Sequence, residues 1–368
     1  MKNYNSDSSN RKVEIRPSFI AILIVTIVLL ITLTISLFVV MHLEKSSSFE
    51  PIRGGSKQTQ STTEPSVPAG NLNTTPLYPT TETRTSYKVT AASDIVTLTD
   101  TDTWKLEAKN AVLVRADKDS LTAIAEKSSE AKMYPASMTK VMTLIVACER
   151  VTDLSTKLTV TQDIADYAKD MGGSGMGLKV GDVFTVEELL FLISYKSDTI
   201  ASIMIANHIA GSEKAFVELM NEKVAHLGLT GTHFANCTGL HDKENYSTCR
   251  EFASIMIYAL DNELAYKCLT QYNGIPMVVG GQQVTAYCGW YSGNGHIGFS
   301  DNPRLGNVTV IAGKTGYIDE AGFTFVTAAK DSSGVLYVNV MVGQPAGNGY
   351  DGDKFMSDYK YIYKNYAK

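Results

Sequence analysis

Between Phe19 and Met41 the chain carries no charged residue, and this run constrains the molecule more than any other stretch. It is long enough to cross a bilayer as a helix, and its Thr26, Thr32, Thr34 and Ser36 can bond back to their own helix. Lys2, Arg11, Lys12 and Arg16 precede it against Asp7 and Glu14, which favours a cytoplasmic N-terminus. The run exceeds a secretory h-region and ends without a small-x-small cleavage site, so an uncleaved anchor is preferred over a cleaved signal peptide. The expected order is a cytoplasmic segment over 1–18, a transmembrane helix over 19–41, and everything after it outside the cell.

Residues 42–87 shift to Ser, Thr, Pro and Gly and hold five of the chain's ten prolines. Too few large apolar side chains remain there to offset the entropy of folding, so the segment reads as a flexible tether spanning about 35–40 Å. The globular part is expected over 88–368.

Hydrophobic residues make up 44% of the chain, enough for a sizeable core. A formal net charge of -5, without a basic patch interleaved with aromatics, argues against a nucleic-acid partner. Cys148, Cys237, Cys249, Cys268 and Cys288 show no metal-binding spacing and are read mostly as buried small apolar residues, a disulfide being open but not predicted. His208, His233 and His241 are dispersed and read as core or capping groups, so no metal is expected.

Local patterns predict a strand hairpin over Asn110–Asp117 and Leu121–Glu126, a helix beginning near Ser137, and a mainly helical middle. Thr185 with Glu188 three residues later forms a capping box. Further helices are expected over Thr199–Ala210, Ser212–Leu227 and Thr248–Leu260. Strands follow over Pro276–Val284, Val308–Ala312, Phe323–Ala329 and Val335–Val342, then a helix over Asp353–Tyr366 against which the C-terminal tyrosines pack. The fold class is α+β: an antiparallel sheet built from both ends of the globular part, flanked by helices, with an inserted helical lobe and a cleft between sheet and lobe.

At the head of the Ser137 helix the text is YPASMTKVMTLIVAC, where Ser137 and Lys140 share a helical face, as a serine nucleophile and a lysine base require. Val141, Leu144, Ile145 and Cys148 recur at helical spacing and bury that helix. Ser-x-x-Lys occurs four times in the chain, so the tetrapeptide alone decides nothing. Its company decides more: IAGKTG over Ile311–Gly316 places Lys314 and Thr315 at a strand end, where uncovered backbone suits the capture of a carboxylate.

Together these residues resemble the penicilloyl-serine transferases, with their S-x-x-K, S-x-N and K-T-G motifs. The flanking VGDVFTVEELL, HIAGSEKAF, THFANCTGLHDKENYST and GKTGYIDEAGF resemble the D-alanyl-D-alanine carboxypeptidases of peptidase family S11, from about Asn110 onward. The resemblance departs in the middle motif, where Ser197-Asp198-Thr199 puts threonine in place of asparagine. Ser292-Gly293-Asn294 and Ser300-Asp301-Asn302 match literally, but both lie in loop text close before the KTG strand; Ser197 sits between two helices and is preferred. An arginine that relatives often carry after the strand ending at Val342 is missing, which throws carboxylate recognition onto Lys314 and Thr315.

What the resemblance implies is a serine-type D,D-carboxypeptidase of a bacterial cell membrane, without a cofactor. Ser137 attacks the bond between the last two D-alanines of a peptidoglycan stem peptide, and Lys140 takes its proton, with a pKa lowered by burial and by Lys314. Ser197 relays a proton to the leaving D-alanine, Thr199 contacts the substrate, and Lys314, Thr315 and Gly316 hold its carboxylate end. The backbone N–H groups of Ser137 and Tyr317 form the oxyanion hole. β-Lactam antibiotics acylate Ser137 as covalent inhibitors. Competing readings are a serine β-lactamase, for which the deacylating glutamate loop is not found, and a catalytically weak wall-binding or penicillin sensor. Transpeptidase or endopeptidase action shares the same acyl-enzyme.

Overall fold

A computed structural model describes residues 84–101, 104–271, 273–288, 304–345 and 352–368. The expected membrane helix and most of the tether, together with both literal Ser-x-Asn triplets, lie outside the described residues. At the start of the described chain, Arg84 Nε is 3.2 Å from Asp261 Oδ2, and the Tyr87 hydroxyl donates to the same oxygen at 2.7 Å.

Strand β1 (Val89–Thr97) is followed by the hairpin of β2 (Asn110–Ala116) and β3 (Leu121–Lys127). A single 3-10 turn over Ala136–Thr139 then leads into helix α1 (Lys140–Arg150). The lobe adds α2 (Gln162–Asp170), α3 (Val186–Lys196), α4 (Thr199–Ala210) and α5 (Glu213–His226), with a short pair of strands, β4 (Lys157–Thr159) and β5 (Val183–Thr185). Helices α6 (Cys249–Leu260) and α7 (Glu263–Thr270) return the chain to the sheet. Strands β6 (Ile275–Val279) and β7 (Gln282–Ala286) form a separate hairpin. The remaining strands are β8 (Arg304–Leu305), β9 (Val308–Ile318), β10 (Gly322–Asp331) and β11 (Leu336–Gln344), before helix α8 (Gly352–Tyr366).

The main sheet runs β1-β3-β2-β11-β10-β9-β8. Its centre joins early and late sequence, with Leu113 of β2 opposite Asn339 of β11. The sheet is mixed rather than wholly antiparallel, because β1 lies parallel to β3, with Val89 opposite Leu121. The chain leaves β1 through Leu98, whose N–H donates to Glu126 O, and must cross back before the β2–β3 hairpin begins.

Burial explains the layers. Every residue of α1 from Lys140 to Cys148 is buried, so this helix is the axis around which the lobe packs. Helix α6 packs on the sheet through β2 and β11, and α8 also packs on β2 and β11. Tyr359 and Tyr363 of α8 are buried and hydrogen-bond to β10, through Phe325 O and Thr327. Leu, Ile, Val and aromatic side chains from lobe and sheet join in one continuous core, the dominant favourable contribution to folding.

Local signals act as expected in several elements. Thr185 and Glu188 form the capping box that starts α3. Ser212 and Thr248 cap α5 and α6 through Ala215 N and Glu251 N. The strand expected over Pro276–Val284 is instead the β6–β7 hairpin: Gly280 and Gly281 take φ of 57° and 77°, the left-handed pair that a two-residue hairpin turn demands. All five cysteines are free and buried.

Candidate active site

The expected helix start at Ser137 is a tighter structure. Met138 N donates to Pro135 O at 3.1 Å, a 3-10 contact, and Ala136 is held at φ 48°, a left-handed conformation costly for alanine. Thr324 of β10 pins the turn by donating to Pro135 O at 3.1 Å. In a 3-10 turn, side chains three apart eclipse one another. Lys140 Nζ accordingly lies 3.4 Å from Ser137 Oγ, and it donates to Thr238 O at 2.5 Å.

Lys140 is 1% exposed. Burial, which disfavours the ammonium, lowers its pKa to about 8, against the opposing charges of Asp198 and Glu213, while burial keeps the nearby Cys237 thiol neutral. About a tenth of such a lysine is neutral at pH 7, far more than of an ordinary one, and the neutral form is what a general base requires.

Across from this pair stands Lys314, whose strand β9 continues through Ile318 instead of ending at the Lys-Thr-Gly triplet. Its Nζ donates to Ser197 Oγ at 2.9 Å and to Thr315 O at 2.8 Å. Burial first, and the charge of Lys140 second, hold Lys314 well below the usual lysine range. The repulsion is mutual, so it acts together with burial against charging both lysines at once.

Ser197 ends α3 in the left-handed region, at φ 53°. That turn swings its hydroxyl away from the helix and toward the strand. Gly316 is required by proximity: a β-carbon there would lie 2.7 Å from Ser137 N and 2.5 Å from Thr324 Oγ1. The backbone of β9 thus passes directly against the nucleophile's amide. Tyr317 follows, 43% exposed, with its hydroxyl donating to Asp319 at 2.8 Å.

Thr199, expected to contact substrate, is bonded to a neighbouring loop. Its hydroxyl accepts from Ser174 N at 3.2 Å, its own N–H donates to Ser174 O at 2.9 Å, and it is buried. Asp198 reinforces the same junction by accepting from Met176 N at 2.7 Å and capping α4 through Ala201 N at 2.9 Å. Thr199 and Asp198 therefore fasten the glycine-rich loop around Ser174 onto the wall beside Ser197. The sequence reading missed this loop's role, and it missed the Asn236–Leu240 turn behind Lys140, whose Asn-x-x-Gly spacing is the signal that marks it.

A buried lysine thus touches a serine at the head of a core helix, close to a second serine–lysine pair from other parts of the chain. Residues 96–345 match the family model described as Peptidase_S11, D-alanyl-D-alanine carboxypeptidase, and the chain belongs to that family. It is 38% identical over 168 residues to the D-alanyl-D-alanine carboxypeptidase DacF of Bacillus subtilis, covering 46% of this chain and 42% of that protein. It is 31% identical over 254 residues to DacA of Escherichia coli, covering 65% and 57% respectively. The chain thus matches about half the length of these curated relatives. Among solved structures, a variant of the Streptomyces K15 DD-transpeptidase superposes with a TM-score of 0.59 at 23% identity, covering 70% of this chain and 97% of that one. Penicillin binding protein 5 of Haemophilus influenzae gives 0.56 at 23%, with 71% of each chain covered. These two likenesses establish the fold.

Proposed function

We propose that the protein is a serine-type D-alanyl-D-alanine carboxypeptidase that trims the terminal D-alanine from peptidoglycan stem pentapeptides. The observation that carries this reading is the contact of Ser137 Oγ with the buried, weakly basic Lys140. Lys140 takes the Ser137 proton as Oγ bonds to the carbonyl carbon of the penultimate D-alanine. The proton passes through Ser197 to the amine of the leaving D-alanine as the C–N bond breaks. Water then adds to the ester, and its hydrolysis frees the trimmed peptide and restores the Ser137 hydroxyl.

The terminal carboxylate binds Lys314 and Thr315. Its arrival favours the charged form of Lys314 that burial opposes, because an opposite charge at this range raises a lysine's proton affinity. The N–H groups of Ser137 and Tyr317 serve the oxyanion, a role supported by the close approach of Gly316 to Ser137 N. β-Lactams acylate Ser137 by the same route. The uncharged run Phe19–Met41 supports anchoring in a bacterial membrane with this domain outside the cell.

A second reading, a penicillin sensor with weak turnover, draws support from Thr199, which stands where relatives carry asparagine and whose hydroxyl accepts from Ser174 N. Mass spectrometry of the protein with a pentapeptide ending in D-alanyl-D-alanine separates the two. The carboxypeptidase releases D-alanine catalytically, whereas the sensor labels with fluorescent penicillin and releases none. Absence of labelling, or equal labelling of Ser137→Ala, sinks both.

A further inference from the structure

Lys140 is gripped on the side away from Ser137 by a turn outside all three motifs. Thr238 O accepts from Lys140 Nζ at 2.5 Å, and the preceding carbonyl, Cys237 O, accepts from Thr143 Oγ1 at 2.6 Å. Thr143 stands one helical turn beyond Lys140, so two successive carbonyls meet two successive polar groups on one face of α1.

This peptide is itself held by two side chains. Glu213, 4% exposed at the start of α5, accepts from Cys237 N at 2.9 Å and from the Tyr167 hydroxyl at 3.0 Å. Asn236 Oδ1 accepts from Thr238 N at 3.2 Å, Thr238 Oγ1 at 3.1 Å and Gly239 N at 2.7 Å, while its amide donates to Leu240 O at 3.0 Å. Gly239 then abuts the nucleophile turn, where a β-carbon would lie 1.9 Å from Ala136 O. The turn thus touches both members of the reacting pair.

We infer that Glu213 and Asn236 are positioning residues for the general base, fixing the Cys237–Thr238 peptide that aims Lys140 at Ser137. The inference rests on the roles proposed above for Ser137 and Lys140. The charged or titratable groups facing Lys140 are Cys237 from the turn, Asp198 from the start of α4, Glu213 from α5 and Lys314 from β9. Asp198 and Glu213 favour its protonated form, the buried Cys237 thiol stays neutral, and Lys314 opposes it. Glu213 alone among them also carries a hydrogen bond to the peptide that grips the base.

The test is the second-order rate at which fluorescent penicillin acylates the full chain, from about pH 6 to about pH 9. Glu213→Gln keeps an acceptor for Cys237 N but removes the charge. Its acid limb is expected at lower pH than the wild type's, so its rate relative to wild type rises as pH falls. Glu213→Ala and Asn236→Ala are expected to acylate about ten- to hundredfold more slowly across the range, as the loss of one or two buried hydrogen bonds predicts. An acid limb unmoved in Glu213→Gln, or wild-type rates in both alanine variants, overturns the inference. Should the alanine variants not fold, the near-isosteric glutamine variant decides alone. If the wild type takes no label, the underlying assignment fails; if it labels at Ser137 and the variants behave like it, only this inference does.

Discussion

Lys314 Nζ rests 2.9 Å from Ser197 Oγ although 117 positions separate them in the chain. The contact ties the sheet to the helical lobe beside Ser137 and Lys140. Lys314→Met removes the cation proposed to receive the substrate carboxylate. D-alanine release from the pentapeptide should fall in kcat/KM by about ten- to hundredfold, the loss expected of a hydrogen bond to a charged group. A variant with unchanged kcat/KM in steady-state assays counts against the carboxylate role.

The lowered proton affinity of Lys140 predicts a stability signature with a definite sign. Its pKa is about 8 folded against an ordinary 10.5, so between those values the unfolded chain binds more protons and stability rises with pH. Below about pH 8 the full cost is present, about 3 kcal/mol for a displacement of this size. Lys140→Met should therefore unfold with a free energy that gains on the wild type below pH 8 and loses that gain toward pH 10.5. Denaturant titrations at several pH values check it; a pH-independent difference contradicts the assignment.

Gly239→Ala places a methyl group on Ala136 O and forces alanine to φ 80°. Left-handed strain and overpacking each cost about 1–3 kcal/mol. Acylation by penicillin should be lost with a clear fall in melting temperature, because the displaced atoms belong to the residue before the nucleophile. Wild-type acylation in this variant would mean that the turn does not bear on Ser137.

Thr199→Val keeps the shape but leaves Ser174 N without its side-chain acceptor. Hydrogen exchange at Ser174 and its neighbours should accelerate, at a stability cost of about 0.5–1.5 kcal/mol, while the amides of α4 stay protected. Exchange unchanged around Ser174 would show that the hydroxyl does not fasten this loop.

Much of this was legible from short-range rules. The cap residues Thr185, Ser212 and Thr248 announce their helices because each side chain bonds a backbone N–H three residues on. Ser137 and Lys140 were legible because three-residue spacing and an apolar run are local properties. The direction of β1 was not, since pairing with β3 rather than β2 depends on where a distant hairpin lies. Nor was the role of Thr199: a threonine in a motif position says nothing of whether its hydroxyl meets substrate or the backbone of Ser174. The same holds for Asn236 and Glu213, which bond to a peptide that reaches Lys140 from another part of the chain.

The seam between β2 and β11 has a consequence for how the molecule comes into being. Leu113 and Asn339 face one another from more than two hundred residues apart, and pairings so distant close slowly. Ser137 is synthesised early, but the strand that carries Lys314 and the β11 partner that completes the sheet come last. Until those strands dock, Ser137 lacks both the β9 backbone that passes against its amide and the Lys314–Ser197 contact beside it.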